Sequence, residues 1–193
     1  MRFLFKLFVP IVAATACVSA AAQTPAYKNV GRTPTAQEVQ AMDIAIGTDG
    51  QELPPGSGDA KTGARLFAEK CVACHGENQQ GSAQAPALVG GAGSLTSLHP
   101  LMTAGSYWPF ATTIFDYIRR AMPRFQEGTL KNDQVYSLVA FILFRNEIIK
   151  EDTVIDAASL PKIKMPNRDG FIPQDLDKIH DYKGRGCKLG HCP

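Results

Sequence analysis

The chain has 193 residues, 45% of them hydrophobic, which is enough for one domain with its own core and extensions on either side. Twenty Lys and Arg stand against 18 Asp and Glu, and two of the basic residues, Arg2 and Lys6, fall in a segment that reads as removable; the remainder balances at 18 against 18. That balance excludes an electrostatic grip on nucleic acid or anionic lipid as the basis of function.

In chain order, Arg2 and Lys6 accompany an apolar stretch from Leu4 to Val18 and the small residues Ala20-Ala21-Ala22, the pattern of a secretory signal over residues 1–22. The stretch contains Pro10 and falls short of the ~20 residues needed to cross a bilayer, so a mature chain starting at Gln23 in the periplasm is expected. A lipid anchor on Cys17 is the weaker reading, because Ala14-Thr15-Ala16 matches the leucine-rich lipoprotein signal poorly. Residues 23–58, rich in Pro, Gly, Thr and Asp, read as an extension laid over a surface or a partner rather than as core. One short helix is expected there, Ala36 to Met42, opened by a capping box of Thr35 and Glu38. Pro54-Pro55-Gly56-Ser57-Gly58 ends the extension.

The main domain is expected over 59–150. Its first helix, Asp59 to Lys70, carries Ala60, Gly63, Leu66 and Phe67 at helical spacing. Gly63 in mid-helix costs about 1 kcal/mol against Ala, which calls for another helix approaching closely at that point. Residues 76–97 are loop. Pro109 to Ala121 forms the next helix, with Phe110, Ile114, Tyr117 and Ile118 on one face. Asp133 to Lys150 is the strongest helix, with Val135, Leu138, Val139, Phe141, Ile142 and Phe144 giving a broad apolar surface. No strand pattern and no internal repeat is visible, so the fold class is all-α. Residues 151–193 read as an irregular wrap of the kind that binds or covers a site, closed by a Cys187–Cys192 disulfide in an oxidising compartment. A second metal site using His191 would have only three ligands at hand.

Between the first two core helices lies Cys71-Val72-Ala73-Cys74-His75. Two thiols three residues apart with an adjacent histidine is the attachment chemistry of c-type haem: each thiol adds across one vinyl group, and the imidazole is the proximal iron ligand. A thioredoxin-type redox pair would need a βαβ setting, and a zinc site a second ligand pair nearer than Cys187 and Cys192. One covalent haem c is therefore expected on Cys71, Cys74 and His75. The second axial ligand is sought among Met42, Met102, Met122, Met165, His99, His180 and His191. Met122 is preferred, since it follows a helix and Pro123 stops that helix and stiffens the loop. Its flanks Arg119-Arg120 and Pro123-Arg124 are polar, which argues against a core-filling role. Met165 is the runner-up and Met102 trails.

These motifs, with a Gly-rich loop reaching Pro86-Ala87-Leu88 and Met122-Pro123 followed by Leu130 and a hydrophobic helix, resemble a class I cytochrome c. The resemblance implies three to four core helices around one haem and a first helix crossing the last at Gly63 and Phe67 against the Tyr136 to Phe141 region. It also implies that the Pro86 carbonyl accepts the Nδ1–H of His75 and fixes its tautomer. Beyond the motif, Asp43-Ile44-Ala45, Leu53 to Gly58, Gly105 to Thr113, Phe115 to Pro123 and Leu160 to Phe171 resemble the first haem domain of the cytochrome subunit of bacterial sulfane and sulfite dehydrogenases. That subunit has a second haem domain, whereas this chain has a single haem motif. In the family, the last helix opens with a Ser or Thr cap, which Lys131-Asn132-Asp133-Gln134 lacks.

The implied function is outer-sphere transfer of single electrons, accepted from a molybdopterin sulfite or sulfane dehydrogenase and passed to a downstream cytochrome or oxidase; the chain itself is not read as an enzyme. Trp108 and Tyr107 are expected to pack beside the haem without relaying electrons. Two rivals are a catalytic or sensory haem that binds a small molecule, with Met122 off the iron, and a structural subunit whose extensions clamp a molybdenum partner.

Overall fold

The computed structural model describes residues 30–171; the expected signal segment, Cys17, His180, His191 and the Cys187–Cys192 pair lie outside them. Two compact units divide between Val39 and Gln40. The described part of the first is short. Thr35 N–H donates to Glu38 Oε2 at 2.8 Å and Glu38 N–H to Thr35 Oγ1 at 3.2 Å, so the expected capping box opens helix α1 (Ala36–Met42). Arg32 also bonds this carboxylate, and Arg32 first and Thr35 second hold Glu38 down to about 2.

From Gln40 onward the elements are β1 (Ser57–Gly58), α2 (Ala60–Lys70), α3 (Val72–His75), α4 (Ala111–Ala121), α5 (Asn132–Arg145) and β2 (Ile155–Asp156), with 3-10 turns at Ser94–Thr96 and Leu160–Lys162. The core is built on α5, whose residues Val135 to Leu143 are all buried. Asp59 caps α2 by accepting the Thr62 N–H at 2.8 Å. Gly63 then meets α5: a methyl there would lie 1.9 Å from Ser137 O and 2.7 Å from Phe141 Cβ. One turn later the Phe67 and Phe141 rings pack with centroids 5.5 Å apart, tilted by 59°. The glycine therefore permits backbone-to-backbone approach, and the two aromatic rings fill the space beyond it.

Three expectations need correction. The strongest helix stops at Arg145 rather than Lys150, because Asn146 caps it and Glu147 turns left-handed at φ 60°. Ile148 and Ile149 kept the apolar pattern alive past this point, yet they pack on the core from non-helical chain. Strands do occur: Ser57–Gly58 pairs antiparallel with Ile155–Asp156, and Phe110 bridges Lys164. Two-residue strands show no period-2 pattern to read. Finally, residues 40–58 are not merely a surface layer. Ile46 and Leu53 enter the core, as do Ile155, Leu160 and Met165 from the segment after 150.

Polar clamps hold these flanking segments. Tyr136 donates its hydroxyl to Pro54 O at 2.8 Å, and burial, aided by the charge of Asp156, pushes the phenol up to about 12. Asp133 Oδ1 accepts the Ser57 N–H at 2.9 Å and ties β1 to the start of α5, while Gln134 Oε1, three residues past Lys131, accepts the Lys131 N–H at 2.9 Å where the Ser or Thr cap is missing. On α4, Thr112 Oγ1 donates to Thr48 O and Arg119 to Ile44 O.

Asp116 is the centre of this second clamp. Its Oδ1 accepts the Ile46 N–H at 2.9 Å and Arg120 Nε at 2.8 Å, and Arg120 pairs with the other oxygen as well. Burial alone would raise its pKa; the Arg120 and Ile46 bonds outweigh that and hold it below the ordinary carboxylate range. A depressed folded-state pKa contributes stability above the unfolded value, and that stability is lost as pH falls through the folded value. Asp116→Ala is therefore expected to cost about 2 kcal/mol at neutral pH. In urea titrations the gap to wild type should narrow as the pH falls below about 4; a gap independent of pH would remove the ionised clamp.

Candidate functional site

Cys71 ends α2 and is also the residue from which the single turn α3 begins; its carbonyl accepts the His75 N–H at 3.0 Å. This turn brings Cys71, Cys74 and His75 together. Both cysteines carry free thiols, Cys74 exposed and Cys71 half-buried. Burial, the leading cause, pushes the Cys71 thiol up to about 11, so it stays protonated at neutral pH.

After α3 the chain turns at Gly76, whose φ is 76°. Gly81 N–H returns to His75 O at 2.9 Å, Ser82 Oγ donates to Cys74 O at 2.6 Å, and Leu88 N–H reaches Gln79 O at 2.9 Å. The loop thus folds back on the motif. It sets the Pro86 carbonyl 3.3 Å from His75 Nδ1. A carbonyl only accepts, so Nδ1 carries the proton and Nε2 is left with its lone pair for a metal. The Phe67 ring lies 6.4 Å from the imidazole and links the site to the α2–α5 contact.

The candidate sulfur ligands differ sharply in setting. Met122 directly follows α4 with extended backbone and is half-buried against the core. Met165 is 1% exposed within the core itself, whereas Met102 is 57% exposed and Met42 84%. His99 is exposed. Trp108 packs edge-on against Tyr117 at 5.7 Å, and Tyr107 against Phe171 at 5.2 Å.

A family model described as cytochrome c oxidase, cbb3-type, subunit III matches residues 58–142, the span from β1 through most of α5. No curated protein sequence matches the chain. The structure is similar to a chain of the sulfane dehydrogenase SoxCD from Paracoccus pantotrophus, with a TM-score of 0.73 and 39% identity over 86% of this chain and 82% of that one. The chain belongs to the class I c-type cytochromes.

A c-type cytochrome takes haem c, and the donor set of this cytochrome fits that group. Two unpaired thiols and an imidazole with one nitrogen already engaged share one helical turn. The sequence did not reveal how the cytochrome secures its loop. Gln79 is wholly buried at φ 59°, with neither side-chain polar atom partnered among the described residues. Asn146 reaches the same loop from 58 residues away. A Gln-rich loop hides the first, and the second sits in a short polar break, Arg145-Asn146-Glu147, between apolar residues 138–144 and 148–149.

Proposed function

We propose that this cytochrome is a periplasmic carrier of single electrons holding one haem c. It accepts electrons from a molybdopterin sulfite or sulfane dehydrogenase and delivers them to a downstream cytochrome or oxidase. The observation that carries this reading is the α3 turn, which presents two thiols and one tautomer-fixed imidazole together. Bound haem c supplies a one-electron iron couple. The residues of the chain would do the holding: Cys71 and Cys74 would anchor the haem through two thioether bonds, one to each vinyl group. His75 offers Nε2 to the iron, and the Pro86 carbonyl keeps that ring oriented and basic. Met122 would supply a thioether to the iron, a ligand that favours the reduced state more than a second imidazole would.

The partner is supported by 39% identity to a chain of a sulfane dehydrogenase over most of both lengths. Among the described residues, no helix is long and apolar enough to cross a membrane. Export fits the leader-like first 22 residues and the compartment in which haem c is matured.

Met122 and Met165 provide the test. In haem-loaded protein, Met122→Ala should abolish the weak sulfur-to-iron charge-transfer band at the red end of the oxidised spectrum and lower the reduction potential. Met165→Ala should leave the band in place and cost about 2–5 kcal/mol of stability as a core truncation. The reverse pattern would move the ligand to Met165, and a wild-type protein without the band would remove methionine ligation. Rapid reduction by a purified molybdenum sulfite or sulfane dehydrogenase, followed by stopped-flow absorption, tests the partner.

A further inference from the structure

Residues 76–90 include no helix or strand, and Gln79 is their sole buried member. Local backbone bonds fold this loop but do not tie it to the helical core. Asn146 makes such a tie. It caps α5, with its backbone N–H on Ile142 O at 3.2 Å and Nδ2 donating to the same carbonyl at 2.9 Å. Nδ2 also donates to Leu88 O at 3.0 Å, and Oδ1 accepts the Gly90 N–H at 3.2 Å. All three partners are backbone groups, and each amide atom is used according to its chemistry. Gly105 closes over the amide: a methyl there would fall 2.1 Å from Oδ1. The Gly90 carbonyl is held in turn by Thr103 Oγ1 at 2.7 Å.

Leu88 is thus gripped on both sides, its N–H by Gln79 O and its C=O by Asn146. Pro86 lies two residues earlier on the same stretch and presents its carbonyl to His75 Nδ1. From these bonds we infer that Asn146 is a positioning residue for the haem iron: by fixing Leu88 and Gly90 to the end of α5, it holds the Pro86 carbonyl against His75 and so sets the basicity of the proximal imidazole. The inference rests on the reading of His75 as iron ligand. A hydrogen bond to the distal ring nitrogen makes a ligating imidazole a stronger donor, which favours the oxidised iron. Loss of the tie should weaken that bond and raise the potential.

The test compares haem-loaded wild type, Asn146→Ala, isosteric Asn146→Asp, and Leu160→Ala, a fully buried core truncation in the turn that packs on α4. Asn146→Ala and Asn146→Asp should displace the hyperfine-shifted His75 Nδ1–H resonance, speed its exchange with solvent at least tenfold, and move the potential upward. Leu160→Ala should lower stability and leave all three unchanged. Wild type supplies a measurement that needs no variant to fold: the Gly90 amide should be protected from hydrogen exchange to the same degree as the Asn146 amide at the end of α5. Variants that lose stability while keeping the wild-type Nδ1–H signal and potential would overturn the inference, as would a freely exchanging Gly90 amide. If wild type itself shows no hyperfine-shifted imidazole, the ligand assignment fails and the inference falls with it.

Discussion

Replacing both motif cysteines, Cys71→Ser with Cys74→Ser, is expected to take bound haem from one per chain to none in protein matured in a periplasm and run on a denaturing gel. Wild type should stay coloured there and each single variant should retain one linkage. The contrast follows from where the sulfurs sit. Cys71 precedes the single turn of α3 and Cys74 lies within it, Cys74 exposed, Cys71 half-buried, and both with free thiols. Burial pushes the Cys71 thiol up to about 11, away from the low-pKa thiolate of a redox-active Cys-x-x-Cys. His75 alone would leave the haem held only by one coordinate bond and packing, which denaturant removes. A His75→Ala variant therefore makes the complementary prediction: haem still covalent, but with the spectrum and ligand-binding behaviour of iron lacking its proximal imidazole. Should the double variant keep its pigment through denaturation, attachment would have to run through other side chains, and the reading of the motif would be wrong.

Much of this was legible beforehand because the informative signals are local. Cys71-Val72-Ala73-Cys74-His75 needs only one helical turn to act, and the Thr35–Glu38 box spans four residues. Gly63 was legible for a different reason: a glycine amid good helix formers contradicts local propensity, and the contradiction points to packing. The unread features depend on residues far apart in the chain. Ser57 meets Asp133 across 76 positions, Ile46 meets Asp116 across 70, and Asn146 meets Leu88 across 58. The end of α5 was misplaced because periodicity reports burial, and Ile148 and Ile149 remain partly buried after the helix has ended. Composition marks the proline- and glycine-rich lead into the domain as a surface layer, yet Ile46 and Leu53 enter the core and the polar clamps to Pro54, Ser57 and Ile46 hold the chain around them.

Gly63→Ala sets two effects of opposite sign against each other, and their magnitudes decide the outcome. On propensity, alanine in mid-helix should stabilise by about 1 kcal/mol. Against this stands a methyl carbon placed 1.9 Å from Ser137 O, where no side-chain rotamer can relieve the overlap because the obstacle is backbone. The helices must part instead. Separation is opposed from both sides, since Gly58 lies as close to the same residue, with a methyl there 2.2 Å from Ser137 N, and Phe67 packs on Phe141 one turn on. Overpacking typically costs about 1–3 kcal/mol and more where backbone must move, so a cost of about 3–5 kcal/mol less the gain of about 1 kcal/mol leaves a net loss of about 2–4 kcal/mol. For a chain of this size that corresponds to a fall in Tm of roughly 5–15 °C. Phe67 also touches the His75 ring, so part of the displacement should reach the site and broaden the Soret band of the loaded protein. Ala68→Gly on the exposed side of α2 provides the calibration, expected to lose only about 1 kcal/mol by propensity. If Gly63→Ala melted at or above wild type, α2 and α5 could not cross at the distance described here.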